Sequence, residues 1–278
     1  VRERAFDWKG SSDDVEGWNP ASTVKLFAAI AALQRIDEQG FSPAAQVTFQ
    51  GKRSRTHSVK ELLDAAIVKS DNLAYNRLVQ LAGFDRLNGA FLNERNGIRN
   101  SALSRAYEQS EWLKLGESAS FRNAPAISFS EGKRSALREA SSGSYAPFCS
   151  RAACTTLQDL AEAMRRVMLQ EYLPQHQSFE LSPDSLAILR RALRAERARG
   201  NEVVDAFSAV FADGDVQFYS KPGYSEGWYS DTVFISDPHR RQAWVVAMAG
   251  YPGRHSLDEA ARTVATLLAT GQLAEYER

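Results

Sequence analysis

The run Lys25-Leu26-Phe27-Ala28-Ala29-Ile30-Ala31-Ala32-Leu33 constrains this chain more than any other segment. It has no polar face, so as a helix it must be buried almost all round. A chain of 278 residues is long enough to build a core that can surround it. The run is far too short to span a bilayer, which needs about 20 residues. Asn19 suits an N-cap and Pro20 the first helical position, where a missing N–H costs nothing. Ser22 then falls in the first turn, beside backbone N–H groups with no partner inside the helix and at the positive end of its dipole. Lys25, three residues on, shares its face. A lysine in such apolar surroundings is desolvated, which lowers its pKa and makes it a candidate base for an activated serine.

Charge excludes several partners. The 34 basic and 34 acidic residues cancel, so no long-range field favours nucleic acid or an anionic membrane. The chain opens at Val1 without Met, which predicts a processed or trimmed N-terminus. Cys149 and Cys154, close together in a polar segment, fit either a small disulfide or two free thiols. Their spacing is not a zinc pattern and no His cluster accompanies them.

Along the chain, residues 4–8 read as a short strand. Ser58 and Glu61 form a capping box before a helix through Leu62, Leu63, Ala66 and Ile67. Ser70-Asp71-Asn72 interrupts it, and a second helix runs through Leu73, Leu78 and Leu81 to Gly83. From about 94 to 153 the pattern is polar and reads as a long loop with one helical piece near 108–115. Amphipathic helices follow from Thr156 to Leu169 and after Ser182. The period then changes to strands at Val216–Ser220, Thr232–Ile235 and Ala243–Ala249, with Asp237-Pro238-His239-Arg240 as a turn. Ser256 and Glu259 read as a capping box for a closing helix from Leu257 to about Ala269. This order predicts an α+β fold, with helices packed on an antiparallel sheet. It divides into an α/β lobe from 1–21 and 205–278 and a mostly helical lobe from 22–204, within one catalytic domain.

Three short motifs line up in chain order: Ser22-Thr23-Val24-Lys25, Ser70-Asp71-Asn72 and Lys221-Pro222-Gly223. Together they resemble the S-x-x-K, S-D-N and K-T-G set of the penicillin-recognising serine enzymes, the class A β-lactamases and their D,D-peptidase relatives. The resemblance implies a β-lactamase/transpeptidase-like fold and an acyl-enzyme on Ser22. By the same resemblance Lys25 takes or guides the serine proton and Ser70 relays a proton to the leaving nitrogen. Asn72, Gly223 and Ser225 bind substrate, and Lys221 supplies positive charge. The N–H groups of Ser22 and Tyr224 form an oxyanion hole. It further implies no metal or organic cofactor, a small-molecule or peptide substrate, a monomer, and a bacterial periplasmic or extracellular location. A D,D-carboxypeptidase or esterase acting on cell-wall peptides is the near alternative. A binding module of the same fold with impaired catalysis is the distant one.

Two features depart from that pattern. Pro222 stands where the family carries a hydroxyl residue, which removes both a hydroxyl and an N–H, and no Arg occupies 228–234 to compensate. The loop glutamate that activates the deacylating water, followed four residues later by Asn, has no full counterpart. Glu108 is nearest the expected place, but Trp112 stands where the Asn would be, and Glu111 is the next candidate. Two further matches are surface or coincidence. Ser130-Glu131-Gly132-Lys133 repeats S-x-x-K without a buried helix behind it. Gly223-Tyr224-Ser225-Glu226-Gly227 mimics a nucleophile elbow, with Asp231 and His255 as partners on paper, but is followed by a strand rather than a helix.

Overall fold

The computed structural model describes residues 17–51, 54–149, 151–197, 201–211 and 215–273. The expected strand at 4–8 lies outside them. At the centre is α1 (Lys25–Glu38), in which every side chain from Lys25 to Leu33 has no solvent exposure. Burying each large side chain of this kind contributes about 1.5–3 kcal/mol, so this helix anchors the core. Its start differs from the sequence reading. Residues Ala21–Val24 form a 3-10 turn, and Asn19 Oδ1 accepts from Ala21 N at 3.0 Å instead of capping an α-helix. Ser22 therefore lies one turn ahead of α1. Lys25 follows this turn directly, as its C-cap and the first residue of α1.

Against α1 pack α2 (Val59–Ile67), α3 (Asn72–Ala82), α5 (Leu157–Met168) and α6 (Pro183–Leu193). Their starts follow the expected caps. Ser58 and Glu61 complete the reciprocal capping box, while Asp71, Thr156 and Ser182 each accept from the N3 backbone N–H.

Residues 94–153 are not one loop. They contain α4 (Gln109–Lys114), in the expected place, and a hairpin of β5 (Ile127–Glu131) and β6 (Arg134–Arg138). That hairpin pairs with β1 (Gln46–Phe49) and β2 (Arg55–Ser58) in the order β2-β1-β5-β6. Two small ladders, β3 (Ala102–Leu103) with β8 (Ala153–Cys154) and β4 (Asn123–Ala124) with β7 (Ser141–Ser142), tie the rest of the segment down. Only Ile127 and Phe129 are buried in the β5–β6 hairpin, and β6 is an exposed, arginine-bearing edge, so its sequence carries no apolar period to read. Ser130 lies in this exposed hairpin, as the surface reading required. The four-stranded sheet sits inside the stretch read as the helical lobe.

The other sheet is antiparallel, β9 (Gln217–Ser225), β10 (Trp228–Asp237) and β11 (Gln242–Gly250), in the order β11-β10-β9. Glu226 (φ 52°) and Gly227 (φ 81°) make a two-residue turn with both φ positive, the geometry that matches strand twist. Tyr229, Val233 and Ile235 pack under α7 (Glu202–Val210) and α8 (Asp258–Thr270), while Phe234 faces the α1 side. The closing helix lacks the expected capping box. Ser256 lies in a 3-10 turn, its hydroxyl donates to Gly253 O at 2.7 Å, and Leu257 takes the cap position. Among the described residues, no helix is long and apolar enough to cross a membrane.

Candidate active site

The three motifs meet where α1, the α2–α3 junction and edge strand β9 come together. Lys25, fully buried, directs its Nζ to the backbone oxygen of Ser70, to Asn72 Oδ1 at 2.6 Å and to Ser70 Oγ at 3.3 Å. Lys221, also buried, donates to Ser70 Oγ at 3.0 Å and to Pro222 O at 2.9 Å. The Ser70 hydroxyl thus accepts from two ammonium groups. With both lone pairs engaged, its own proton is left to donate elsewhere.

Gly223 brings β9 onto the Ser22 turn. A Cβ at this position would lie 2.7 Å from Pro20 O and 2.9 Å from the backbone nitrogens of Ser22 and Thr23. Only glycine permits that approach. Pro222 has no N–H, so it fits opposite Asp231 only if β10 needs no donor there. Tyr224, two residues on, turns its N–H the same way, out of the sheet edge. Ser22 is partly exposed, Tyr224 is half exposed at 50% and Ser225 ends the strand.

Glu108 also reaches the site. It is exposed, it precedes α4 without a side-chain cap bond, and its Oε1 accepts from Asn72 Nδ2 at 3.2 Å, so Asn72 bridges Lys25 and Glu108. Glu111 is instead paired with Lys114 on the surface at 2.6 Å. The segment bearing Glu108 is held by Asn76, whose side chain accepts from Tyr107 N at 3.0 Å and donates to Tyr107 O at 2.9 Å. Tyr107 in turn donates its hydroxyl to Ala21 O at 2.8 Å.

Backbone strain gathers at this cleft. Six non-glycine residues among those described have positive φ, and four of them, Ala21 (45°), Ser70 (56°), Glu108 (48°) and Glu226 (52°), border the site. Such conformations cost about 1–3 kcal/mol each and persist where the surroundings over-determine them.

The electrostatics follow from burial. Desolvation, reinforced by the charge of Lys221, lowers Lys25 to about 7, with Asp71 and Glu108 opposing. Burial brings Lys221 down to about 8, against the pull of Asp231. Asp231, fully buried, is pushed up to about 6 by desolvation, while Ser220, Asn201 and Lys221 hold it down. Ser220 Oγ donates to Asp231 Oδ1 at 2.8 Å, and Asn201 Nδ2 donates to Ser220 Oγ. Near neutral pH such a site holds a lysine poised to exchange a proton beside one that stays charged.

The sequence reading missed Tyr107, Asn76 and Asn201, and met Asp231 only as part of the elbow pattern. Asp231 was legible, because a two-residue turn at Glu226-Gly227 fixes the register and sets Asp231 opposite Pro222. The elbow triad does not form: His255 is 85% exposed beside Asp258, and Asp231 bonds to Ser220. Cys149 and Cys154 are joined, with Cα atoms 6.3 Å apart.

A family model described as the β-lactamase enzyme family matches residues 11–271. No curated protein is a significant match to the sequence. Among solved structures, a β-lactamase from Burkholderia vietnamiensis is similar with a TM-score of 0.61 at 17% identity, over 97% of this chain and 86% of that one. A mutant of the last common ancestor of Gram-negative class A β-lactamases gives 0.59 at 21% identity, over 96% and 88%. A PBP-A mutant, solved as an acyl-enzyme with penicillin G, gives 0.56 at 20% identity, over 95% and 84%. At these identities the likeness is one of fold.

Proposed function

We propose that this chain, which belongs to the β-lactamase enzyme family, opens a β-lactam or a related amide through an ester formed on Ser22. The observation that carries the reading is that lysines from the first and third motifs both reach the hydroxyl of the second, at 3.3 and 3.0 Å. Lys25, lowered to about 7, takes the Ser22 proton as the hydroxyl attacks the carbonyl carbon. Base assistance of this kind is worth about 100- to 10,000-fold. The developing oxyanion is assigned to the N–H groups of Ser22 and Tyr224, and the close approach of Gly223, the neighbour of Tyr224, to Ser22 N supports that assignment. Ser70 passes its proton to the leaving nitrogen and takes in its place the one that Lys25 acquired, across 3.3 Å, while Lys221 keeps that hydroxyl acidic.

Deacylation needs a base for water. Glu108, fixed through Asn72 at 3.2 Å, is the carboxylate proposed for that step. A module kept for binding alone has no use for a buried lysine whose ammonium is destabilised, which favours the enzyme over that alternative. The reading also puts the protein in the bacterial periplasm or outside the cell, and the joined cysteines support an oxidising compartment.

The test is intact mass after incubation with a neutral fluorophosphonate and with a β-lactam offered as acid and as methyl ester. A single adduct on Ser22, absent in Ser22→Ala, is expected. A Ser22 inert to all three reagents in folded protein overturns the proposal.

A further inference from the structure

Opposite Pro222 on the next strand lies Asp231, and in an antiparallel pair directly opposed side chains share one face. A substrate lying along the β9 edge at this point meets a proline with neither hydroxyl nor N–H. Beyond the proline is a fully buried carboxyl group. Its Oδ1 accepts from Ser220, which Asn201 holds in turn, and its Oδ2 makes no side-chain hydrogen bond.

Lys221 is the cation of this corner, on the other face of the strand. Two of its three protons go to Ser70 Oγ and Pro222 O, and Asp231 counters its charge through the sheet. Two carboxylates stand at the rim, Glu108 on Asn72 and Glu226, whose Oε2 accepts from Asn19 Nδ2 at 3.2 Å. The same end of the sheet offers aromatic faces. Tyr224 is 50% exposed, and Tyr251, 61% exposed, rests on Trp228 with ring centroids 5.4 Å apart. An anionic group entering here loses its hydration and gains little from a countered lysine. An uncharged, apolar group keeps the aromatic contact and loses less.

Resting on the acyl-enzyme reading above and narrowing it, we propose that the site takes acyl substrates without a carboxylate beside the scissile bond. These are neutral esters or amides with an apolar or aromatic flank, and the Pro222–Asp231 pair sets that choice. Asp231 acts through Lys221 and the strand edge, as a positioning residue.

The experiment compares benzylpenicillin with its methyl ester at pH 7.5, one compound in two charge states. The rate of adduct formation on Ser22 is followed by intact mass. The ester is expected to acylate about tenfold faster or more, each tenfold being about 1.4 kcal/mol. Asp231→Asn removes the charge with little change of shape, and Pro222→Thr restores a hydroxyl and an N–H. Each is expected to shift the ester-to-acid ratio toward the acid by about tenfold. A merely structural loss would slow both compounds alike. If Asp231→Asn does not fold, Pro222→Thr carries the comparison. An acid that acylates as fast as its ester in the wild type overturns the proposal, as does a ratio that neither variant moves. A Ser22 that reacts with the fluorophosphonate but prefers the acid overturns this proposal alone. A Ser22 that reacts with nothing overturns the acyl-enzyme reading and this one with it.

Discussion

The hydroxyl of Tyr107 donates to the carbonyl oxygen of Ala21 at 2.8 Å, which couples the segment carrying Glu108 to the residue before Ser22. Ala21 has φ 45°, a conformation alanine adopts only under constraint, and this bond is one of the constraints. Tyr107→Phe keeps the ring and removes the bond. It is expected to lower kcat/KM for Ser22 acylation by about 10- to 100-fold through misplacement of the nucleophile. Stability should fall by only about 1 kcal/mol. Stopped-flow acylation and urea melts on one preparation separate the two effects; equal activity in the variant would show that the turn holds without it.

Gly223→Ala tests the approach of β9 to the Ser22 turn. The added methyl would collide with backbone atoms at 2.7–2.9 Å, which cannot rotate away. Acylation should drop by about 100-fold or more as the two N–H groups separate. Overpacking should cost about 1–3 kcal/mol of stability. Near-normal rates in this variant would place the oxyanion site elsewhere.

Glu108→Gln is expected to leave the formation of the Ser22 adduct within about threefold of wild type and to slow its hydrolysis by about 100-fold or more. The adduct should then persist in intact-mass spectra for far longer than in wild type. Unchanged hydrolysis would remove Glu108 from the deacylation step.

The pH profile of acylation follows from the two lysines. Activity should rise as Lys25 loses its proton near pH 7 and fall as Lys221 loses its own near pH 8, giving a narrow bell. The limbs belong to the pair, because each charge disfavours the other. Lys221→Arg keeps its charge at all working pH values, so the alkaline limb should move out beyond about pH 10. An alkaline limb unmoved in that variant would mean that another group sets it.

Stability has a linked signature. Lys25 is lowered from 10.5 to about 7 on folding, so between those values the unfolded chain binds more protons than the folded one. Stability therefore rises with pH across that window, by on the order of 2 kcal/mol between pH 7 and 9 from this group. Lys221 adds to the same trend above its lower limit of about 8. In Lys25→Met the rise should be much smaller, as measured by urea melts at pH 7 and 9. A slope equal to wild type would show that Lys25 is not desolvated by folding.

How much could be read from the chain differs from element to element. The chain alone determined the buried α1, the Ser58–Glu61 capping box, the N-caps as far as Ser182, the β9–β11 meander and the three motifs. Each rests on periodicity or on hydrogen bonds within a few residues, which a sequence states directly. Tertiary structure alone decided that β5–β6 joins β1–β2, since the exposed β6 edge carries no apolar period. It also decided that the Asn76–Tyr107 exchange draws Glu108 to Asn72, and that Asp231 is fully buried, held through Ser220 by Asn201. These contacts join residues far apart in the chain, and polar side chains show in sequence neither their partners nor the burial that shifts their charge.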